Sequence, residues 1–441
     1  MIGVVVSRAD EASTHIGEQL RDRGAWEESI DRDRPDGAGG GTVYRFDGIE
    51  LREFDELHIE LTGAGDPFDD PELLVFASRH SGETGPLLSA HFTGNFGPAE
   101  FGGEMGRFAV AAPAAQKHVL SVLEDVAPTG YDVAMECTHH GPTDVNVPSL
   151  FVEVGSDTEQ WQDSAAAGAV AEAILALRDV DPNSDRTVVG FGGGHYVPRF
   201  RRIVRETDWT VGHIGADWSL EAMEEFDETV LEMAFERSGA SRALIDGEWP
   251  KLASVIESLG YRLVNETWLR ETDGVPLGVV ERVESQLATV TAGVRFGRHA
   301  PASDDTDEWA VIELDSALVD AINGVDIDRA VDAAAANTIA YLTEENGNRL
   351  ADRLIVPDET AYTAFIDAVI DVLSEKYDRV ERKGDELHCQ ERAFDPDRAR
   401  ELGVDPGPAF GRLAEGQSVE VDGETISPEA VHEERSHRFE L

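Results

Sequence analysis

Apolar positions in this chain alternate between the spacings of strand and helix. Residues 2–6 are a short continuous apolar run and predict a buried strand. Ala9, Ala12, Ile16 and Leu20 then recur at helical spacing. Ser7 stands as N-cap, Asp10 as the acidic partner of a capping box, and Gly24 as the stop. Runs at 43–46, 49–54, 57–61, 73–77 and 87–92 predict strands, and 112–126 predicts a helix. Strands follow at 131–135 and 150–154. Residues 158–177 read as one amphipathic helix with Trp161, Ala165, Ala169, Ala173 and Leu177 along a face. A strand at 187–191 runs into three glycines. A strand at 211–214, helices at 228–238 and 249–259 and a strand at 261–264 complete the pattern. Such alternation predicts an α/β domain over 1–270: a mixed, mostly parallel sheet with helices on both faces.

The pattern changes after residue 270. Helices are expected at 330–342 and 362–373, and a hairpin at 419–426 with Asp422-Gly423 as its turn. Residues 271–441 therefore read as a smaller α+β extension, a second domain or a clamp on the first. The glycine-rich stretch 33–41 lacks the GxxxxGK[ST] spacing and no helix follows it, so it reads as a loop without a phosphate cradle.

Charge narrows the setting. The 441 residues carry 37 Lys+Arg against 88 Asp+Glu, a formal charge of −51. Only Lys117, Lys251, Lys376 and Lys383 are lysines. A hydrophobic content of 41% is too high for a disordered polyanion. Self-repulsion at this charge is severe in dilute buffer but largely screened at ~1 M salt, where the Debye length is ~3 Å. A cytoplasmic protein of a salt-loving organism is expected. The first residues show no basic leader and apolar stretch, and no run reaches the ~18 apolar residues of a membrane span. Two cysteines, Cys137 and Cys389, far apart, do not suggest a disulfide framework.

Candidate chemistry gathers in loops after strands. Glu136-Cys137-Thr138-His139-His140-Gly141-Pro142 puts a carboxylate, a thiol, a hydroxyl and two imidazoles in sequence. Gly192-Gly193-Gly194-His195-Tyr196 forms a second loop, and His80 and His91 belong to a third cluster. Loops at the carboxyl ends of strands are where α/β sheets present ligands, so both His loops are expected at one sheet edge. Several His and one Glu converging there can form a zinc site, with Glu136 or an unligated His moving the proton. The spacing matches no HExxH, HxHxDH or CxxC pattern. Cys137 with His139 or His140 as base is a second possibility, ranked lower because a Cys beside a strand is usually a small buried hydrophobe. The glycine N–H groups could hold an oxyanion or a phosphate. Arg199, Arg201, Arg202 and Arg205 form either a face of local salt bridges or a phosphate-contacting patch.

These segments resemble a known family. The Glu136–Pro142 loop and Gly192-Gly193-Gly194-His195-Tyr196-Val197-Pro198-Arg199 look like the two hallmark loops of the archaeal and plant type of D-aminoacyl-tRNA deacylase. Val6-Ser7-Arg8-Ala9-Asp10-Glu11-Ala12-Ser13, Ser78-Arg79-His80-Ser81 and His91-Phe92-Thr93-Gly94-Asn95 resemble the same family, in the same order. The resemblance covers about residues 1–270. It implies hydrolysis of the ester between a D-amino acid and the terminal ribose of tRNA, a quality-control step of translation. It also implies a zinc cofactor and a phosphorylase/hydrolase-like fold similar to peptidyl-tRNA hydrolase, and the protein is expected to be a monomer. On this reading Glu136, His139, His140 and His195 are catalytic, and His80, His91, His139, His140 and His195 are metal-ligand candidates. Asn95, Thr138, Gly193, Gly194, Arg199 and Arg202 contact substrate. The stretch 403–413 is similar to one in tRNA 3′-end-processing nucleases, whose metal motif is absent here. Two other classes stay open: a metal-dependent amidohydrolase or peptidase acting on a small molecule, and a tRNA-binding protein without catalysis.

Overall fold

The structure is a computed structural model and describes residues 1–223, 225–421 and 423–441. The chain divides into two compact units, Met1–Leu269 and Arg270–Leu441. In the first unit the order is β1 (Ile2–Ser7), α1 (Glu11–Asp22), β2 (Glu27–Asp31), β3 (Gly41–Phe46), β4 (Ile49–Phe54), β5 (Leu73–Arg79), β6 (Leu87–His91), β7 (Val110–Ala111), α2 (Pro113–Val126), β8 (Asp132–Met135), β9 (Pro148–Gly155), α3 (Thr158–Trp161), α4 (Ser164–Leu175), β10 (Thr187–Gly192), α5 (Pro198–Glu206), β11 (Thr210–Gly215), α6 (Asp217–Glu221), α7 (Glu228–Ser238), β12 (Arg242–Asp246), α8 (Pro250–Ser258) and β13 (Arg262–Val264). The unit is a mixed α/β fold, as the alternation predicts.

The strands form two sheets, not the single one expected. The larger has the order β2-β3-β4-β1-β5-β9-β6-β8, with β7 also on β9. Its β4-β1-β5-β9 centre is parallel, and β6 turns antiparallel against β9 while pairing parallel with β8. The smaller sheet, β11-β10-β12-β13, is parallel throughout. The two His loops therefore leave different sheets: one follows β8, the other β10. They meet through a bridge between Glu136 and Tyr196. Cys137 N–H bonds His195 O at 2.9 Å, Val197 N–H bonds Met135 O at 3.3 Å, and Thr138 N–H bonds Ile214 O at 2.9 Å.

Several local expectations are corrected. Asp10, not Ser7, caps α1: its carboxylate accepts from Ser13 N–H at 3.0 Å. It also accepts from Arg79 N–H at 3.0 Å and Ser78 Oγ at 3.3 Å, so the buried charge is well supplied with donors. Ser7 remains the last residue of β1, paired with Phe54. Residues 57–61 do not form a strand. His58–Glu60 is one 3₁₀ turn that tucks His58 edge-on against Phe76 and Phe151. The helix expected at 158–177 is two, because Asp163 accepts from Ala165 N–H at 2.8 Å and starts α4 anew. β2 lacks a buried face and gave no alternation to read.

In the second unit the expected 330–342 helix is Ile327–Asn337, and the chain then enters a strand at Ala340–Glu344. That strand lies in an antiparallel sheet ordered Val294–Phe296, Ala340–Glu344, Arg349–Val356, Ala310–Glu313. Leu318, Ile322, Phe365 and Val369 help form the core beneath it. The terminal strands Arg379–Lys383, Glu386–Phe394 and His432–Glu440 make a second antiparallel sheet. Val419–Val421 pairs with Glu424–Ile426 as a hairpin; Asp422 of its expected turn lies outside the described residues. Among the described residues no helix is long and apolar enough to cross a membrane.

Candidate active site

Glu136 follows β8 and is fully buried. His195 donates Nε2–H to its Oε2 at 2.7 Å. His80 Nδ1 lies 3.2 Å from Oε1, and His139 Nε2 3.8 Å from Oε2. Burial works against the Glu136 charge, but the His195 hydrogen bond, His80 close to Oε1 and the charges of His91 and His139 hold its carboxyl well below the usual range.

A second buried carboxylate, Glu153 of β9, was missed in the sequence. It stands 3.5 Å from His80 Nδ1 and 3.6 Å from His91 Nε2. Burial would lower the His80 pKa, but the hydrogen bonds and charges of Glu136 and Glu153 outweigh it and lift the pKa to about 10. As an imidazolium, His80 also donates Nε2–H to the Tyr196 hydroxyl at 2.9 Å. Glu153 did carry a signal: it is the one charged residue in the apolar run of β9, a strand buried over almost its whole length.

Three imidazoles face one another. The His91, His139 and His140 ring centroids are 4.3, 4.4 and 4.8 Å apart. Each Nδ1 meets a backbone carbonyl: His91 with Phe92 O at 3.1 Å, His139 with Cys137 O at 2.9 Å, His140 with Gly141 O at 2.7 Å. A carbonyl only accepts, so Nδ1 carries the hydrogen and the neutral ring's lone pair lies on Nε2. Adjacent residues in an extended strand would point apart. A φ of 45° at His140 breaks the extended backbone and lets both rings border one cavity. Burial, then the neighbouring imidazoles, push the His139 pKa well below its usual value; burial and His91 push His140 down to about 3. Against burial, Glu153 raises the His91 pKa, so a proton on that ring is favoured. His91 Nε2 and Glu136 Oε1 are buried without an aligned hydrogen bond.

Among the described residues, ligand-capable atoms lie within 4.8 Å of one another in three sets: His91-His139-His140, Cys137-His139-His195 and His80-Glu136-His195. The first suits a borderline metal, because in their neutral forms its three rings present Nε2 lone pairs; a cation there would take the place of the proton that Glu153 favours on His91. A cavity of ≈ 390 Å³ opens beside these groups, lined in part by His58, Phe101, His139, His140, Glu153 and His195.

Most of the other expected site residues have partners within the protein. Cys137 is buried, and its pKa is pushed up to about 12 by burial and then by the Glu136 charge, so it is a thiol and not a ready nucleophile. Thr138 Oγ1 bonds His213 Nδ1 at 3.1 Å and accepts from Ile214 N–H at 2.9 Å. It clamps the loop to β11 and is buried. Asn95 donates to Gly102 O at 3.1 Å and Glu104 O at 3.3 Å, so it staples the 101–106 loop. The Gly193 N–H is taken by Asp217 Oδ1 at 3.0 Å; the Gly194 N–H has no bond among the described residues. Gly192 is required by its own sheet: φ is 96°, and a Cβ would meet Asp246 O at 1.9 Å. All four arginines of α5 meet carboxylates: Arg199 with Asp246 and Glu266, Arg201 with Glu124, Arg202 with Glu266, Arg205 with Glu206.

A family model described as D-aminoacyl-tRNA deacylase matches residues 67–264. A D-aminoacyl-tRNA deacylase of Haloarcula marismortui is 51% identical over the whole of both chains, and that of Natronomonas pharaonis likewise. One from Methanococcoides burtonii is 30% identical over 98% of this chain and 95% of its own, so the match runs on well past residue 270. A crystal structure of a conserved protein of unknown function is similar at a TM-score of 0.55 and 30% identity, covering 60% of this chain and 95% of that one. With identity of this level along its full length, the chain belongs to the D-aminoacyl-tRNA deacylase family.

Proposed function

We propose that this chain hydrolyses the ester of D-aminoacyl-tRNA, releasing the D-amino acid and intact tRNA, with zinc held by His91, His139 and His140. The observation that carries the reading is the buried Glu136, set behind His80, His139 and His195, which line the cavity. Ester hydrolysis needs a proton acceptor for water, a donor for the leaving hydroxyl and polarisation of the carbonyl. His195, the most exposed member of the cluster, passes the water's proton toward Glu136 along their 2.7 Å bond. The pair then returns a proton to the departing ribose oxygen. His80, held between Glu136 and Glu153, keeps the carboxylates in place and balances their charge. A zinc ion at the three imidazoles would supply Lewis acidity toward the water or the carbonyl. The Gly194 N–H is the backbone donor offered to the oxyanion. Phosphate contact falls to Arg202, where exchange of a carboxylate for a phosphate is close to neutral in salt; the more tied Arg199 places α5 for it. A fold related to peptidyl-tRNA hydrolase and a monomeric state belong to the same reading.

Chirality follows from where the side chain has room. A site that rejects one enantiomer by clash accepts many D-residues and glycine. D-tyrosyl-, D-aspartyl- and glycyl-tRNA should be cleaved in high salt and L-tyrosyl-tRNA spared, measured as release of labelled amino acid. Equal cleavage of L- and D-forms would overturn the reading.

A further inference from the structure

Six large hydrophobic side chains are exposed among the described residues. Ile30 is on the edge strand β2, and Val311 and Leu402 lie in the second unit. The remaining three, Phe101 (66% exposed), Met105 (70%) and Trp218 (51%), all sit on segments tied to the His cluster. Phe101 lines the cavity, and its carbonyl accepts from Gly141 N–H, next to His140. Glu104 N–H bonds Thr143 Oγ1, which holds the stretch before Met105 on the same turn.

Trp218 is the best placed of the three. It is the second residue of α6, whose first residue is clamped to the second His loop. Asp217 accepts from Gly193 N–H at 3.0 Å and donates its own N–H to Gly193 O at 2.9 Å. Trp218 therefore stands beside the loop in which His195 follows Gly193 by two residues, and half of its surface stays in water. A half-exposed tryptophan placed beside a catalytic loop has the form of a stacking surface.

We propose that Trp218 is the platform on which the terminal nucleobase of the tRNA acceptor end stacks. The inference rests on the deacylase reading and names a substrate contact within it. The scissile ester is carried by the terminal ribose, and the base is attached to that same ribose, so the base must settle beside the cluster. Charge alone is a poor means of holding a polyanion here. The chain carries −51, and the arginines of α5 are engaged by carboxylates. Stacking is indifferent to the identity of the tRNA, because every aminoacyl-tRNA presents the same terminal base. It also persists in salt that screens phosphate contacts.

The test compares Trp218→Ala and Trp218→Phe with wild type, in high salt. One substrate is D-tyrosyl-tRNA; the other is the same tRNA with a base-less terminal ribose, made by ligating a chemically acylated end. Base stacking of this kind is worth roughly 5- to 150-fold. W218A should raise KM on the intact tRNA by a factor in that range with kcat little changed, and W218F should recover most of it. Removing the base should cost wild type the same factor, and the two losses should not multiply. Binding of uncharged tRNA, which needs no chemistry, should weaken in parallel. Unchanged KM and binding in W218A, or losses that multiply, would overturn the platform. Failure of the deacylase reading looks different: wild type would bind tRNA and leave its D-tyrosyl ester intact.

Discussion

Glu136 and Glu266 both meet basic side chains of the first unit, yet the two regions behave oppositely. Glu266 receives Arg199 and Arg202 of α5 at the surface, in pairs of 3.3 and 2.9 Å. Such pairs contribute ~0–1 kcal/mol and are screened further by salt. Glu136 is buried among imidazoles, holds a carboxyl far from its usual titration range, and leaves Oε1 without an aligned donor. Burying a charge without full compensation costs several kcal/mol. Counting opposite charges does not separate the regions; desolvation does. A group kept charged at that cost is where chemistry is expected.

The comparison breaks first at Glu136. Glu136→Gln keeps the shape and removes the charge, so the rate on D-tyrosyl-tRNA should fall by ~10²–10⁴-fold with folding retained. A rate within tenfold of wild type would move the proton-transfer role elsewhere. The next expected effect is on metal. His91→Ala or His140→Ala should weaken zinc binding by roughly 100-fold or more, read by elemental analysis after dialysis as well as by rate. Zinc retained at the wild-type level in both would remove the three-imidazole site.

His213 tests burial apart from catalysis. It is fully buried, bonded to Thr138 Oγ1 and to Ala109 O at 2.9 Å, and burial lowers its pKa from 6.5 to about 4. The unfolded chain takes up the proton first. The stabilisation is therefore complete above pH 6.5 and is lost as pH falls through 4, about 3 kcal/mol in all. The stability gap between wild type and His213→Gln should shrink by most of that amount between about pH 7.5 and 4.5 in high salt. A gap independent of pH would mean that His213 does not titrate with folding. The smallest effect belongs to the surface. Arg205→Ala, at the most exposed pair of α5, should change stability by less than about 0.5 kcal/mol at ~1 M salt. A larger change would show that the arginine face is part of the site and not only of its support.

Much of the first unit was legible, because a strand or helix declares itself by spacing within a few residues. The loop from Glu136 to Pro142 and His195 after its glycines were legible for the same reason: chemistry-bearing side chains stood where apolar strands stopped. Asp10 was seen near a helix start but given the wrong part, since a cap is decided by which oxygen finds an N–H. Arg199, Arg201 and Arg202 stood out, but their carboxylates come from Glu124, Asp246 and Glu266, distant in sequence.

By itself, then, the sequence determined the elements, the family and the loops that hold the imidazoles, all properties of short stretches read in order. Only the tertiary structure decided that these loops leave two sheets and meet at the Glu136–Tyr196 bridge. It alone decided that Glu153 joins them, that Asn95 and Thr138 bond backbone, and that three carbonyls set the histidine tautomers. Strand partners, desolvation and hydrogen-bond direction depend on atoms far apart along the chain, and no local spacing encodes them.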